Sequence, residues 1–388
     1  MTETVIVAGA RTPIGRFQGA FGDLSAQQLG GAAIAGALER AGLAGEQVDY
    51  VIMGQVLQAG QGQITARQAA VAGGLPMEVP CLTVNKVCLS GLNAVALADQ
   101  LIRAGEMETV VAGGMESMTG APYALPAARQ GARMGDTALV DLMVHDGLWC
   151  AFDHVHMGES IDAACARLGI ARVEQDEWAA RSHERAADAS KRGRLAEEIV
   201  PVGVPQRKGD PLLVDQDEGI RPGTTPEKLA GLRPAFGGTV TAGNASQLSD
   251  GAAAVVVTTR ERAEREKLPV LGTILGHGMV AGPDASLPSQ PSNAIRMAAL
   301  KLGHKPDAYD VYEINEAFAA VALWSARELG LDEDRVNADG GAVALGHPIG
   351  ASGARLVLSL LHQLRRRGGG TGVAALCGGG GQGDALVV

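Results

Sequence analysis

Two stretches of the chain read alike: ALERAGLAGEQVDYVIMG at 37–54 and AALKLGHKPDAYDVYEIN at 298–315. Each runs from the end of an apolar helix through a glycine and a polar loop to an aspartate and a β-rich strand. Asp49 and Asp310 correspond, 261 positions apart. A second pair is SGLNAVALADQLIRAGEMETVVAGG at 90–114 and SGARLVLSLLHQLRRRGGGTGVAALCGG at 352–379. Both repeat the order Ser-Gly, amphipathic helix, glycine-containing loop, buried strand, Gly-Gly, with the serines 262 positions apart. Any two strand–helix–strand units share part of this pattern. Two independent matches at nearly one offset point to duplicated halves within one chain. Helices alternating with short buried strands, among them 4–10, 48–56, 108–114 and 372–379, put each half in the α/β class.

The duplication exposes an insertion. In the second half the closing strand DALVV follows Gly379 within a few residues. In the first half about 135 residues separate Gly114 from the equivalent strand, DGAAAVVVTT at 250–259. The spacing predicts a first half made of residues 1–118 and 250–268, an inserted unit of 119–249, and a second half of 269–388. The insertion reads as loops plus helices such as 175–193, and a long insertion on a compact α/β half is commonly a binding element. The helix expected at 24–42 is built of small residues and suits close packing.

Composition narrows the function. Aromatics are 3% of the chain and glycines number 54, so the core falls to Ala, Val, Leu and Ile, with many close backbone approaches. A net charge of −10 argues against a nucleic-acid partner. It leaves room for an anionic small ligand on a local basic patch. No apolar run approaches the roughly 20 residues of a membrane span. The chain enters a strand at once and ends on DALVV, which leads to the expectation of no leader, lipid or peroxisomal signal. Five cysteines with no CxxC argue against a disulfide framework or a zinc site, and for a reducing cytoplasm.

Four segments carry candidate chemistry. In VNKVCLSGLNAV (84–95), Cys88 sits between a strand-like run and a helix start. A helix N-terminus offers free N–H groups and partial positive charge, so the expectation is a thiolate favoured below the free thiol value. The same N–H groups could hold an oxyanion. A buried packing cysteine is the bland alternative. In GGAVALGHPIGASGAR (340–355), His347 precedes another helix start, where a neutral imidazole can act as a base; a loop histidine bonded to backbone is the alternative. In AALCGGGGQGDALVV (374–388), Cys377 ends a strand before four glycines, as a substrate-facing thiol or as a core cysteine beside a turn. In EINEAFAAVALW (313–324), Asn315 follows a strand and Glu316 is expected to begin a helix. There the amide could position a water, donate to an oxyanion or simply cap the helix.

Together these segments resemble the thiolase family, the acyl-CoA:acetyl-CoA acyltransferases, along nearly the whole chain. VTAGNASQLSDGAAAVVV (240–257) and LRPAF (232–236) also resemble family segments, in the expected order. The resemblance implies a duplicated five-layered α-β-α-β-α fold with an inserted loop domain that binds coenzyme A. It implies that Cys88 is acylated by an acyl-CoA, with His347 taking its proton. Cys377 would be the second base, Asn315 would act through a water, and the N–H groups of Cys88 and Gly379 would hold the oxyanion. His156, Met157, Arg221, Ser246, Ala317 and Phe318 fall at positions that line the coenzyme A and acyl site. No metal and no diffusible cofactor is implied, because the thioester itself acidifies the α-carbon and coenzyme A thioesters are substrates. The implied assembly is a homodimer or a homotetramer built as a dimer of dimers, with no membrane partner.

The implied activity is acetyl-CoA C-acetyltransferase, a reversible Claisen condensation. A broader-chain degradative 3-ketoacyl-CoA thiolase and a noncatalytic CoA- or lipid-binding relative are the alternatives. A ketoacyl synthase shares the duplicated fold but has no second cysteine base. Three positions depart from the family's usual pattern: Leu89 is larger than usual, Gly378 is smaller, and Gln247 stands where glycine is common. They bear on pocket width and chain-length preference.

Overall fold

The computed structural model describes residues 2–388. The first half contributes β1 (Thr4–Arg11), α1 (Ala26–Ala41), β2 (Tyr50–Gly54), α2 (Thr65–Ala72), β3 (Cys81–Val84), α3 (Ser90–Arg103) and β4 (Thr109–Ser117). The insertion carries α4 (Met157–Leu168) and α5 (Arg172–Lys191), and the chain returns as β5 (Ser249–Thr259). Then follow β6 (Gly272–Thr273), β7 (Gly276–Ala281), α6 (Gln290–Leu302), β8 (Val311–Ile314), α7 (Ala319–Leu329), α8 (Ala342–Leu345), α9 (Ser352–Arg366), β9 (Gly372–Gly378) and β10 (Gln382–Val387).

The repeat read from the sequence is the repeat of the fold. The first sheet has the order β6-β1-β5-β4-β2-β3, with Gly15–Arg16 added on β5. The second has the order β7-β10-β9-β8. Along β1-β5-β4-β2 the pairings are antiparallel, antiparallel, parallel, and β7-β10-β9-β8 repeats that sense. The matched serines of the sequence, Ser90 and Ser352, open the matched helices α3 and α9.

Five layers result: α1 and α2, the first sheet, α3 and α9, the second sheet, then α6 and α7. The central helices pack on both sheets and on one another, so α9 is buried almost throughout. Its leucines join Leu92 and the inner faces of both sheets in one apolar cluster. The two helices meet where neither has a side chain. A Cβ on Gly353 would lie 2.3 Å from the Leu92 nitrogen, and one on Gly91 would lie 2.9 Å from the Ala354 nitrogen. This crossing brings both N-termini to one place, beside the C-terminal ends of β8 and β9. Loops from both halves therefore converge there.

Among the described residues no helix is long and apolar enough to cross a membrane. All five cysteines are free.

Candidate active site

The turn before α3 is held by its own polar side chains. The Asn85 Oδ1 accepts from the Val87 N–H at 3.0 Å. Ser90 Oγ accepts from the Lys86 N–H at 2.8 Å and donates to the Val87 carbonyl at 2.6 Å. Val87 is thereby fixed at φ 51°, a left-handed conformation that a β-branched residue adopts only under constraint. The turn delivers Cys88, 3% exposed, to a largely apolar cavity of about 340 Å³.

His347 lines the same cavity from the opposite half. Its Nδ1 lies 2.6 Å from Ser352 Oγ, and its Nε2 lies 3.4 Å from the Asn315 amide nitrogen. Ser352 Oγ also reaches the Pro348 carbonyl at 3.0 Å. One pattern satisfies all three contacts. Asn315 donates to Nε2, Nδ1–H donates to Ser352, and Ser352 donates to Pro348. That tautomer leaves Nε2 as the basic nitrogen. Burial, helped by nearby Arg355, drives the imidazole pKa down to about 3, so it is neutral at physiological pH. Asn315 follows β8 and continues its ladder with an N–H bond to the Ala375 carbonyl at 2.9 Å. Its side-chain oxygen is buried with no hydrogen-bond partner among the described residues.

Cys377 is fully buried near the end of β9. Its thiol is held up by burial first and by neighbouring Cys88 second. The backbone N–H groups of Cys88 and Gly379 act to lower the Cys88 thiol pKa. These donors do not give the favoured thiolate expected of a helix N-terminus. Desolvation outweighs them and raises the Cys88 pKa to about 12. The site thus holds a thiol and a neutral imidazole rather than an ion pair.

Glu316 does not begin a helix; α7 starts at Ala319, with Phe318 as its N-cap. The Glu316 carboxylate instead accepts from Trp178 Nε1 (2.9 Å), Ser182 Oγ (2.7 Å), Asn337 Nδ2 (2.9 Å) and the Val343 N–H (3.1 Å). It ties the inserted α5 to the loops behind the cavity, which holds the chain after Asn315 extended.

The remaining predicted residues divide. Met157, Ser246, Ala317 and Phe318 line the cavity, as does His156. His156 caps α4, accepting the Gly158 N–H at 3.0 Å, and stacks on Phe236 with ring centroids 4.5 Å apart. Burial lowers its pKa. Arg221 is exposed and does not line the cavity, but its Nη2 lies 3.4 Å from Gln247 Oε1. Gln247 does line it. Its side-chain amide donates to the Gly219 carbonyl at 2.9 Å and the Val343 carbonyl at 3.1 Å, and its backbone carbonyl accepts the His347 N–H at 3.2 Å. This departure from the family pattern fastens three loops together. Sequence reading gave no role to Met118, Phe236, Ile349 or Ser352. For Ser352 the signal was present, since it opens α9 five residues after His347.

The other two departures compensate one another. A Cβ on Gly378 would lie 2.6 Å from Leu89 Cγ, so Leu89, fully buried, occupies the space that a side chain at 378 would fill. Neither residue lines the cavity, and volume is exchanged across the seam between halves. Leu89→Ala should cost about 2–5 kcal/mol of stability. Gly378→Leu should cost about 1–3 kcal/mol through overpacking. The double variant should be more stable than the worse single one. Urea unfolding midpoints measure this; strictly additive losses would remove the complementarity.

A thiol and a basic imidazole brought to one apolar cavity from the two halves are groups that can together carry out acyl transfer. The chain is an acyltransferase. It belongs to the thiolase family: the family's "Thiolase, N-terminal domain" model matches residues 4–261 and its "Thiolase, C-terminal domain" model matches residues 268–388. A Mycolicibacterium smegmatis protein named "Probable acetyl-CoA acetyltransferase" is 56% identical over 386 residues, 99% of this chain and 100% of that protein. The acetyl-CoA acetyltransferase of Pseudomonas aeruginosa is 51% identical over 390 residues, 100% of this chain and 99% of that protein. The crystal structure of the Bacillus anthracis acetyl-CoA acetyltransferase superposes with a TM-score of 0.97 at 40% identity, covering 100% of this chain and 98% of that one.

Proposed function

We propose that the chain is an acetyl-CoA C-acetyltransferase that joins two acetyl-CoA into acetoacetyl-CoA and CoA, reversibly, through an acyl-cysteine. The observation that carries the reading is Cys88 and His347, from opposite halves, lining one apolar cavity. The proton of Cys88 passes to His347 Nε2 as sulfur attacks the thioester carbonyl. The tetrahedral oxyanion forms against the two N–H groups. CoA leaves as a thiolate and takes the proton of Cys377. A second acetyl-CoA then loses an α-proton to the Cys377 thiolate. Its enolate oxygen is held by His347 and, through a water, by Asn315, whose unpaired oxygen calls for such a partner. The α-carbon attacks the acetyl carbonyl, and Cys88 leaves and recovers its proton from His347. Protons balance over the two halves, and no redox partner is required.

The inserted segment 119–249, carrying His156, Met157, Arg221 and Ser246, is read as the coenzyme A-binding unit between the halves 1–118 with 250–268 and 269–388. Both cysteines must stay thiols, which suits a reducing cytoplasm. A dimer or dimer of dimers is supported by the outer strand β3 and the exposed apolar residues Ile64, Met77 and Leu82 around it.

Purified protein should cleave acetoacetyl-CoA rapidly in the presence of CoA, with kcat/KM falling steeply as the ketoacyl chain lengthens. Equal or faster cleavage of long chains would move it to the broader degradative class. CoA binding without cleavage of any chain would leave a noncatalytic relative. Light scattering of the same samples at micromolar concentration would remove the assembly if it gave a monomer.

A further inference from the structure

The Cys88 turn comes from the first half and the hairpin of β9 and β10 comes from the second, and three contacts join them. Val87 lies against Gly379, where a Cβ would stand 3.4 Å from Val87 Cγ1. Leu89 covers Gly378. The third contact is charged: Lys86 Nζ reaches both carboxylate oxygens of Asp384, at 2.7 and 2.8 Å. Asp384 is 3% exposed. It pairs with Leu376 across the hairpin, one step in register from the Cys377–Gly383 pair. Lys86 is two residues before Cys88, and its carbonyl accepts the Leu89 N–H at 3.2 Å.

We propose that Lys86 and Asp384 are positioning residues that latch the nucleophile turn onto the hairpin and so set the spacing of the Cys88 and Gly379 N–H groups. The physical need is specific. The two donors of the oxyanion site belong to different halves, so no secondary structure fixes their separation. The turn also stores strain at Val87, which relaxation away from the hairpin would release. A two-point charged contact holds geometry better than apolar packing, which tolerates sliding. The pair is only partly buried, since Lys86 keeps some contact with solvent, and such an ion pair adds little net stability compared with an apolar pair, so its value here is registry.

The inference rests on the acyl-transfer reading, and its test separates the two. The variants are Lys86→Met, Asp384→Asn, Lys86→Arg and the double Lys86→Met/Asp384→Leu, which leaves no buried charge. Acetoacetyl-CoA cleavage should lose about 10- to 100-fold in kcat in either charge-removing single variant, with the KM for CoA changed by less than about twofold. Lys86→Arg should recover most of the rate. The double variant should match the wild-type melting temperature yet keep the low kcat. A second readout needs no turnover: alkylation of Cys88 by iodoacetamide, followed by mass spectrometry. It should slow about three- to tenfold in Lys86→Met, because the Gly379 N–H no longer stabilises the thiolate, and recover in Lys86→Arg. Wild-type kcat and alkylation in the double variant would overturn the latch, as would rate losses that only follow melting temperature. A wild-type protein inactive on every thioester would sink the acyl-transfer reading, while alkylation would still decide the latch.

Discussion

Cys88→Ala should abolish turnover, lowering kcat on the order of 10^4-fold or more, because the acyl-enzyme can no longer form. Incubation of the wild type with acetyl-CoA should add the mass of one acetyl group to the peptide carrying Cys88, and the variant should gain none. The fold should survive. Cys88 contributes one small buried side chain to a large apolar cluster, and the turn around it is held by Asn85 and Ser90 rather than by the thiol. Coenzyme A binding should persist for the same reason. An acetyl group appearing on another cysteine, or turnover within tenfold of wild type, would refute the nucleophile assignment.

Cys377→Ala should separate the two halves of the reaction. Acylation of Cys88 expels a thiolate, a good leaving group that departs without waiting for a proton. Carbon–carbon bond formation removes a proton from a far weaker carbon acid and depends on a base placed at the α-carbon. Condensation and cleavage should therefore fall by on the order of 10^2- to 10^4-fold, while acetyl transfer from acetyl-CoA to Cys88 falls by less than about tenfold. Rapid-quench mass measurement of the acetyl-enzyme, beside a spectrophotometric assay of acetoacetyl-CoA, reads both. Equal losses in the two would mean that Cys377 supports the site structurally. The thiol is raised by burial and by Cys88. In the proposed mechanism, loss of its proton to departing CoA in the first half-reaction readies it as a base for the second.

The leucine at 89 and the glycine at 378 show why side-chain volumes read one at a time mislead. Each looked like a change in pocket width. Across the seam they form one packing unit, with Leu89 over the missing side chain of Gly378, and neither touches the cavity. The same seam carries Lys86 and Asp384, nearly 300 residues apart in sequence yet bonded through both carboxylate oxygens.

The sequence by itself determined the duplication, the α/β class and the segments that bring Cys88, His347, Cys377 and Asn315 to helix starts and strand ends. Those features are local or periodic. An apolar strand, a helix of fixed phase and a glycine at a turn impose themselves within a few residues, and a nearly constant offset between the halves fixes how the units repeat. Tertiary structure alone decided the electrostatics and the partners. A helix N-terminus predicted a favoured thiolate, but only the packed site sets how much water is lost, and that loss holds Cys88 as a thiol at about 12. Glu316 looked like a helix start until four donors from distant segments took its carboxylate. Arg221 came no closer to the cavity than through Gln247. Desolvation and long-range hydrogen bonds depend on which surfaces meet, and no stretch of chain carries that information until the two halves have closed on each other.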